Sequence, residues 1–222
     1  MTGFNLSQIL HYQDLFLSGV LMTALLSCIV MFFGSIIGIL GAVGVRWGPR
    51  PVQYALRAYV EVIRNTPGLI QLFIVFFVLP SFELRLPPFH AAAIAFSIYF
   101  GAYAIEIIRA GLDSIPRSQI EAGQCLGITR WEVFRHVICM PALRNIYPAF
   151  TSQIVLLVLG TSIASQISAE ELFYMGSFVE SRTYRSFEVY TFVCAIYLVM
   201  VLILKTVFAA GGRILFRWPA HD

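Results

Sequence analysis

Ser118 with Glu121, and Thr129 with Glu132, repeat the Ser/Thr-x-x-Glu spacing in which a hydroxyl and a carboxylate reciprocally satisfy the free amides of a helix's first turn. The chemistry these residues offer is structural. They predict two short helices inside a charged island at residues 113–145, with Gly127 between them where a chain leaving the first helix needs a left-handed residue. Arg117, Arg130, Arg135 and Arg144 stud the same island, which then reads as a docking surface rather than a passive connector, although Arg residues there serve equally as positive-inside signals. Glu106 and Arg109 stand one helical turn apart just before it, spaced for an ion pair within an apolar helix. Ionisable groups are costly inside a bilayer, so each needs a partner.

Most catalytic chemistry is missing. Lys205 is the only lysine and no Gly-x-x-x-x-Gly-Lys-Ser/Thr occurs, so this chain cannot build a phosphate-cradling loop with its lysine. His11, His90, His136 and His221 are isolated, with no ligand spacing for a metal. Cys28, Cys125, Cys139 and Cys194 are dispersed and read as small buried hydrophobes, not as a disulfide framework. No Gly-x-Ser-x-Gly elbow appears, and an intramembrane enzyme stands only as a distant rival.

The elements that must position the island are membrane spans. The chain is 59% hydrophobic and only 12% charged, and its mean hydropathy of +0.80 lies outside the range of soluble domains. Charge-poor stretches of bilayer length fall at about 15–45, 67–82, 89–108, 146–169 and 189–212. The expected fold is all-α: one polytopic domain, residues 1–222, with about five transmembrane helices and the two-helix island between the third and fourth. Arg57, Glu61 and Arg64 share a face at i, i+4 and i+7, so 52–64 reads as an interfacial helix leading into the second span. The long uncharged first stretch, with no basic residue before it, reads as a retained span rather than a signal peptide.

Basic residues cluster after span 1 (Arg46, Arg50, Arg57, Arg64), in the island, and at the C-terminus (Arg213, Arg217). The opposite side has Arg85, Arg182 and Arg185 among Glu83, Glu170, Glu171, Glu180 and Glu188. The positive-inside rule then puts the N-terminus outside and the island and C-terminus in the cytoplasm. The net charge of +3 reflects this sidedness and is no sign of nucleic-acid binding.

Three blocks carry a family resemblance: residues 64–80 (RNTPGLIQLFIVFFVLP), 100–127 (FGAYAIEIIRAGLDSIPRSQIEAGQCLG) and 129–150 (TRWEVFRHVICMPALRNIYPAF). In order and spacing they resemble the permease subunits of bacterial ABC importers for polar amino acids, the middle block being similar to the cytoplasmic "EAA" signature. Two positions depart from it. Gly123 replaces the second Ala, which lowers helix propensity by about 1 kcal/mol, and the proline after the signature comes one residue late, at Pro141.

The resemblance implies a division of labour in the bacterial inner membrane. A periplasmic binding protein delivers an amino acid, this chain pairs with an identical or related permease, and two cytoplasmic ATPases bind the ATP, so no cofactor belongs to this chain. The island is then the coupling element, with Glu121, Ala122, Gly123 and Gly127 at its centre and Arg117 and Arg130 flanking them. Glu121 can also serve only its own capping box. Glu106 and Arg109 would form a structural or gate-proximal ion pair, and Asn65-Thr66-Pro67 a hinge or helix start.

Span 4 is polar for a membrane helix, and Thr161, Ser162, Ser165 and Gln166 could line the solute path. Hydrogen bonding between helices explains such residues equally well. Many relatives carry an acid just before a Thr-Ser pair like Thr161-Ser162, where this chain has Gly160. Trp131, Phe134, Val137 and Ile138 form a stripe expected to pack on the spans. The outer loop around Leu172–Val179 is a contact for the binding protein or a solvated loop. The rival function is an autonomous channel or secondary transporter, which would call for intramembrane charges or an internal repeat.

Overall fold

The computed structural model describes residues 11–216; Arg217 and His221 lie outside them, as do both chain ends. Among the described residues the chain is helix and turn throughout, without a strand. In chain order the helices are α1 (Gln13–Trp47), α2 (Arg50–Arg64), α3 (Gly68–Phe82), α4 (Pro88–Asp113), α5 (Arg117–Cys125), α6 (Arg130–Ile167), α7 (Leu172–Thr183) and α8 (Ser186–Leu215). Helices α1, α4, α6 and α8 are long and apolar enough to cross a membrane, and α2 with α3 makes a fifth crossing if that bent pair is taken as one.

α1 and α4 are the spine. Gly34 faces Phe100, Gly38 faces Ala104 and Gly41 faces Ile105 so closely that a Cβ on Gly38 would sit 2.4 Å from that of Ala104. In lipid, water expulsion does not drive helices together, and small residues that let backbones approach take over that role. Leu26, Val30, Phe96, Phe100 and Ala104 form the core of this seam with Leu157 and Ile167 of α6. Outward-facing Leu21, Phe32, Leu40, Leu198 and Ile203 are exposed, as lipid-facing positions must be.

α2 and α3 meet at 108°. Asn65 ends the first helix and Pro67, lacking an N–H, precedes the second. The Gln71 amide locks the corner by donating to Ile63 O at 2.8 Å and Thr66 Oγ1 at 2.7 Å. The interfacial helix expected at 52–64 is α2, and Val60 is its fully inward residue.

α6 differs from expectation. The second island helix and span 4 are one continuous helix from Arg130 to Ile167, not a short helix followed by a separate span at about 146–169. Pro141 does not break it because the turn before, Val133–Cys139, is π-helical, and its longer i→i+5 bonding accommodates the missing N–H. At the other end Thr161–Ile167 tightens into a 3-10 helix.

The outer segment after α6 also departs from a solvated loop. Glu171 is 1% exposed and caps α7, accepting from the amides of Phe173 (2.9 Å) and Tyr174 (2.8 Å) and from the Tyr197 hydroxyl (2.7 Å). Thr23 of α1 accepts from the Leu172 amide at 3.1 Å, so α7 is bolted to α1 and α8 through buried polar groups. Burial pushes the Glu171 carboxyl above its ordinary value, against the hydrogen bonds that pull it down.

A carboxyl raised in the fold holds its proton more tightly there than in the unfolded chain. Its stabilising contribution is therefore full at low pH and is lost as pH rises through the folded value. Glu171→Gln removes the titration, and also one accepting position, since its Nε2 can only donate. In detergent melts the variant's melting temperature relative to that of wild type should rise between about pH 4 and about pH 7. A fall over that range would count against this account.

Candidate functional site

The island is braced at its base and exposed at its tip. Asn145 Nδ2 donates to Ser114 Oγ at 2.8 Å, and Asp113 pairs with both Arg46 and Arg109, joining the ends of α1, α4 and α6. Thr129 and Glu132 form the expected capping box: the Glu132 amide donates to Thr129 Oγ1 at 3.3 Å, and the Thr129 amide to Glu132 Oε2 at 2.9 Å. The Thr129 hydroxyl, and next its amide, hold the Glu132 carboxyl below its ordinary value. Gly127 has φ +72°, the left-handed residue that the break between the helices requires.

The first capping box does not form. Pro116 is the N-cap, with φ −62° and extended ψ, so the helix begins at Arg117 and Ser118 already lies inside its first turn. Glu121 thereby loses the local partner proposed for it and stands exposed beside exposed Ala122. Gly123 is buried, and a Cβ there would lie 3.3 Å from Val133 and 3.4 Å from Ile128. The departure from the Ala of the motif thus sits at the contact between α5 and α6. Arg117 and Arg130 are exposed.

The apolar stripe of the second island helix is also rotated from expectation. Val133 is the buried residue, 3% exposed, with Val137 and Ile138 half-buried; Trp131 is 66% exposed and stacks on Phe134 at 5.8 Å. The π turn shifts the side-chain phase, so an α-helical period assigned the wrong inner residue.

On α4, Tyr99, Tyr103, Glu106 and Arg109 follow one another along one face. Tyr99 donates to the Tyr103 hydroxyl at 3.2 Å, and the Arg64 guanidinium lies 5.2 Å over the Tyr103 ring. Arg109 Nε donates to Glu106 Oε2 at 3.1 Å, and Nη1 to Asp113 at 2.8 Å. Two recesses lie along this face. One, of about 310 Å³, is lined by Tyr99, Tyr103, Gln153, Gly160 and Gly68 among apolar neighbours. The other, of about 470 Å³, holds Arg57, Glu61, Arg64, Glu106 and Arg109.

The four span-4 residues assigned to the path line neither recess. In the 3-10 segment side chains repeat every three residues, so Thr161, Ala164 and Ile167 eclipse on one buried face. Thr161 lies beside the Tyr197 hydroxyl, away from the cavity. The Ser162 and Ser165 hydroxyls donate to Leu159 O and Ser162 O, and Gln166 is exposed. Sequence reasoning missed Tyr99 and Tyr103, although their i, i+4 spacing on a helix was legible, and did not assign Gln153 to the path.

A bundle of membrane-length helices, with a part-polar cavity in its wall and a braced, exposed helical loop at one end, defines a membrane transport subunit. Residues 31–219 match the family described as the binding-protein-dependent transport system inner membrane component, and the chain belongs to that family. It is a multi-pass inner-membrane permease of the ABC importer class.

Among its relatives, the L-cystine transport system permease protein TcyB of Bacillus subtilis (strain 168) is 36% identical over 203 residues, covering 91% of this chain and 87% of that one. The glutamine transport system permease protein GlnP of Escherichia coli (strain K12) is 33% identical over 204 residues, 91% and 93% of the two chains. The crystal structure of an amino acid ABC transporter with histidines superposes with a TM-score of 0.89 at 33% identity, covering 96% of this chain and 99% of that one. An inward-facing MetNI methionine ABC transporter shares the fold with a TM-score of 0.76 at 20% identity, covering 92% and 97%.

Proposed function

We propose that this chain, as a single permease domain, forms half of a path for a polar amino acid. A second permease, identical or related, supplies the other half. A periplasmic binding protein delivers the solute and two cytoplasmic ABC ATPases, which bind the ATP, drive the cycle. The chain has no phosphate-binding loop of its own, so the energy enters through the island. The distribution of Arg residues supports an outer N-terminus and a cytoplasmic C-terminus.

The continuity of α6 carries this proposal. At 1.5 Å per residue its 38 residues make a rod of about 57 Å. The rod begins among Arg130, Trp131 and the α5 contact and ends in the segment that follows Gly160 at the cavity wall. A displacement of α5, with Glu121, Ala122 and Arg117 against an ATPase, reaches the cavity through one helix packed on Gly123. Glu106 and Arg109 stand below the cavity on α4, where their pair serves as a structural or gate element.

Tyr99, Tyr103 and Gln153 offer hydroxyls and an amide but no charge, which suits an amino acid with a neutral side chain. The test is uptake of labelled neutral and cationic amino acids into proteoliposomes holding the permease with its ATPase and binding protein. Neutral solute should accumulate with ATP and not without it; accumulation by the permease alone would overturn the proposal. A Cβ at Gly160 meets nothing within 4 Å, and Gly160 borders the cavity, so the side chain of Gly160→Glu starts without a clash. In the same vesicles it should shift the preference toward cationic side chains by about tenfold, the worth of about 1.4 kcal/mol.

A further inference from the structure

Lys205 sits in α8, a helix long and apolar enough to cross a membrane, with its side chain exposed among the lipid-facing residues Leu202, Ile203 and Val207. It makes no hydrogen bond or ion pair with any described residue. An ammonium in that position is expensive unless an anion meets it. Beside it lies a groove of about 300 Å³ between α6 and α8, walled by Tyr147, Val155 and Phe208 and bearing the hydroxyls of Thr151 and Ser152. We propose that this groove binds the headgroup phosphate of an anionic phospholipid, with Lys205 as its counter-ion and the acyl chains along the apolar wall.

Depth supports a lipid. Tyr147 donates to the Phe208 carbonyl at 2.6 Å, and Asn145, half a turn before Tyr147, belongs to the charged end of the bundle with Ser114. Arg213 follows Lys205 by eight residues, about 12 Å along the helix. Lys205 therefore stands about two turns inside the headgroup layer at the C-terminal end of α8, where a lysine snorkels toward phosphates.

The hydroxyls have a donor to spare. Thr151 and Ser152 both donate to the single carbonyl of Pro148, at 3.0 and 2.9 Å, so either can swing to a phosphate oxygen while the other keeps that carbonyl satisfied. The acids of the bundle are already engaged within the chain, so a second copy is a poor source of the anion. Glu106 is bound to Arg109, Asp113 to Arg46 and Arg109, Glu61 accepts from the Asn65 side-chain amide at 2.9 Å, and Glu188, at the far end of α8, is bound to Arg185.

The experiment is native mass spectrometry of the purified permease complex in neutral detergent, titrated with phosphatidylglycerol. Wild type and Lys205→Arg should retain the lipid adduct, and Lys205→Ala should bind it about fivefold more weakly, the effect of ~1 kcal/mol per basic residue at an anionic surface. The double change Thr151→Val with Ser152→Ala should weaken it with the charge kept. Equal retention by wild type and Lys205→Ala overturns the proposal. So does displacement by millimolar inorganic phosphate, which would mark a free-anion site. Loss of a non-identical permease from Lys205→Ala, with lipid retention unchanged, would assign the ammonium to a partner's carboxylate and overturn it as well.

Discussion

Glu121→Lys should leave the permease inserted and folded while cutting ATP-driven uptake by at least about tenfold, a coupling loss of about 1.4 kcal/mol or more. The expectation follows from what Glu121 does not do within its own chain. Pro116, not Ser118, caps α5, so the carboxylate has no amide to serve, and it projects from the exposed face of a helix whose buried face is Gly123. Reversing a charge at such a position changes fold stability by only about 0.5 kcal/mol. A large functional loss therefore has to arise at a partner.

Gln119→Lys, exposed on the same helix, is the control for added charge alone. Co-purification of the ATPase and its stimulation by loaded binding protein are the readouts. If Glu121→Lys retains both, along with normal uptake, then α5 is not the docking helix and the proposed coupling fails.

The second large effect is on folding. Gly38→Val should prevent α1 from seating on α4, because the added Cβ would overlap that of Ala104 at 2.4 Å and the next contact is backbone, which cannot rotate away. Overpacking of this kind costs about 1–3 kcal/mol, and more where the neighbour is fixed. At about 2–4 °C per kcal/mol for a chain of this size, the melting temperature in detergent should fall by several degrees or the protein should fail to accumulate. Gly160→Ala, with open space around the new methyl, should melt as wild type does. A Gly38→Val protein as stable as wild type would mean that the α1–α4 seam is looser than the structure has it.

How much could be read in advance depended on whether the local helical period was the ordinary one. The first, third and fifth spans, the Thr129–Glu132 box, the left-handed Gly127 and the corner at Asn65-Thr66-Pro67 rest on composition, caps and proline, and appear as expected. The errors concentrate where α6 leaves α-helical geometry. The π turn moved the buried position from Trp131 to Val133, and the 3-10 end turned Thr161 into the core; neither pitch has a sequence signal strong enough to anticipate.

Glu171 was hidden for another reason. An acid beside Glu170 in an apparent loop looks solvated, and only the tertiary approach of Tyr197 and Thr23 makes it a buried cap. The close seam was legible and overlooked: Gly34-x-x-x-Gly38 is a small-residue spacing that membrane helices use to touch.

The change of pitch at each end of α6 has a mechanical consequence. A segment bonded i→i+5 can pass to i→i+4, and one bonded i→i+3 can do the same, by exchanging each amide's acceptor for the adjacent carbonyl, so no polar group is stranded in lipid on the way. Such exchanges wind or unwind the terminal turns. The middle of the helix, Met140–Gly160, which stays helical through Pro148, would then turn about its own axis, and torque, rather than sideways push, is the load that α6 is placed to carry.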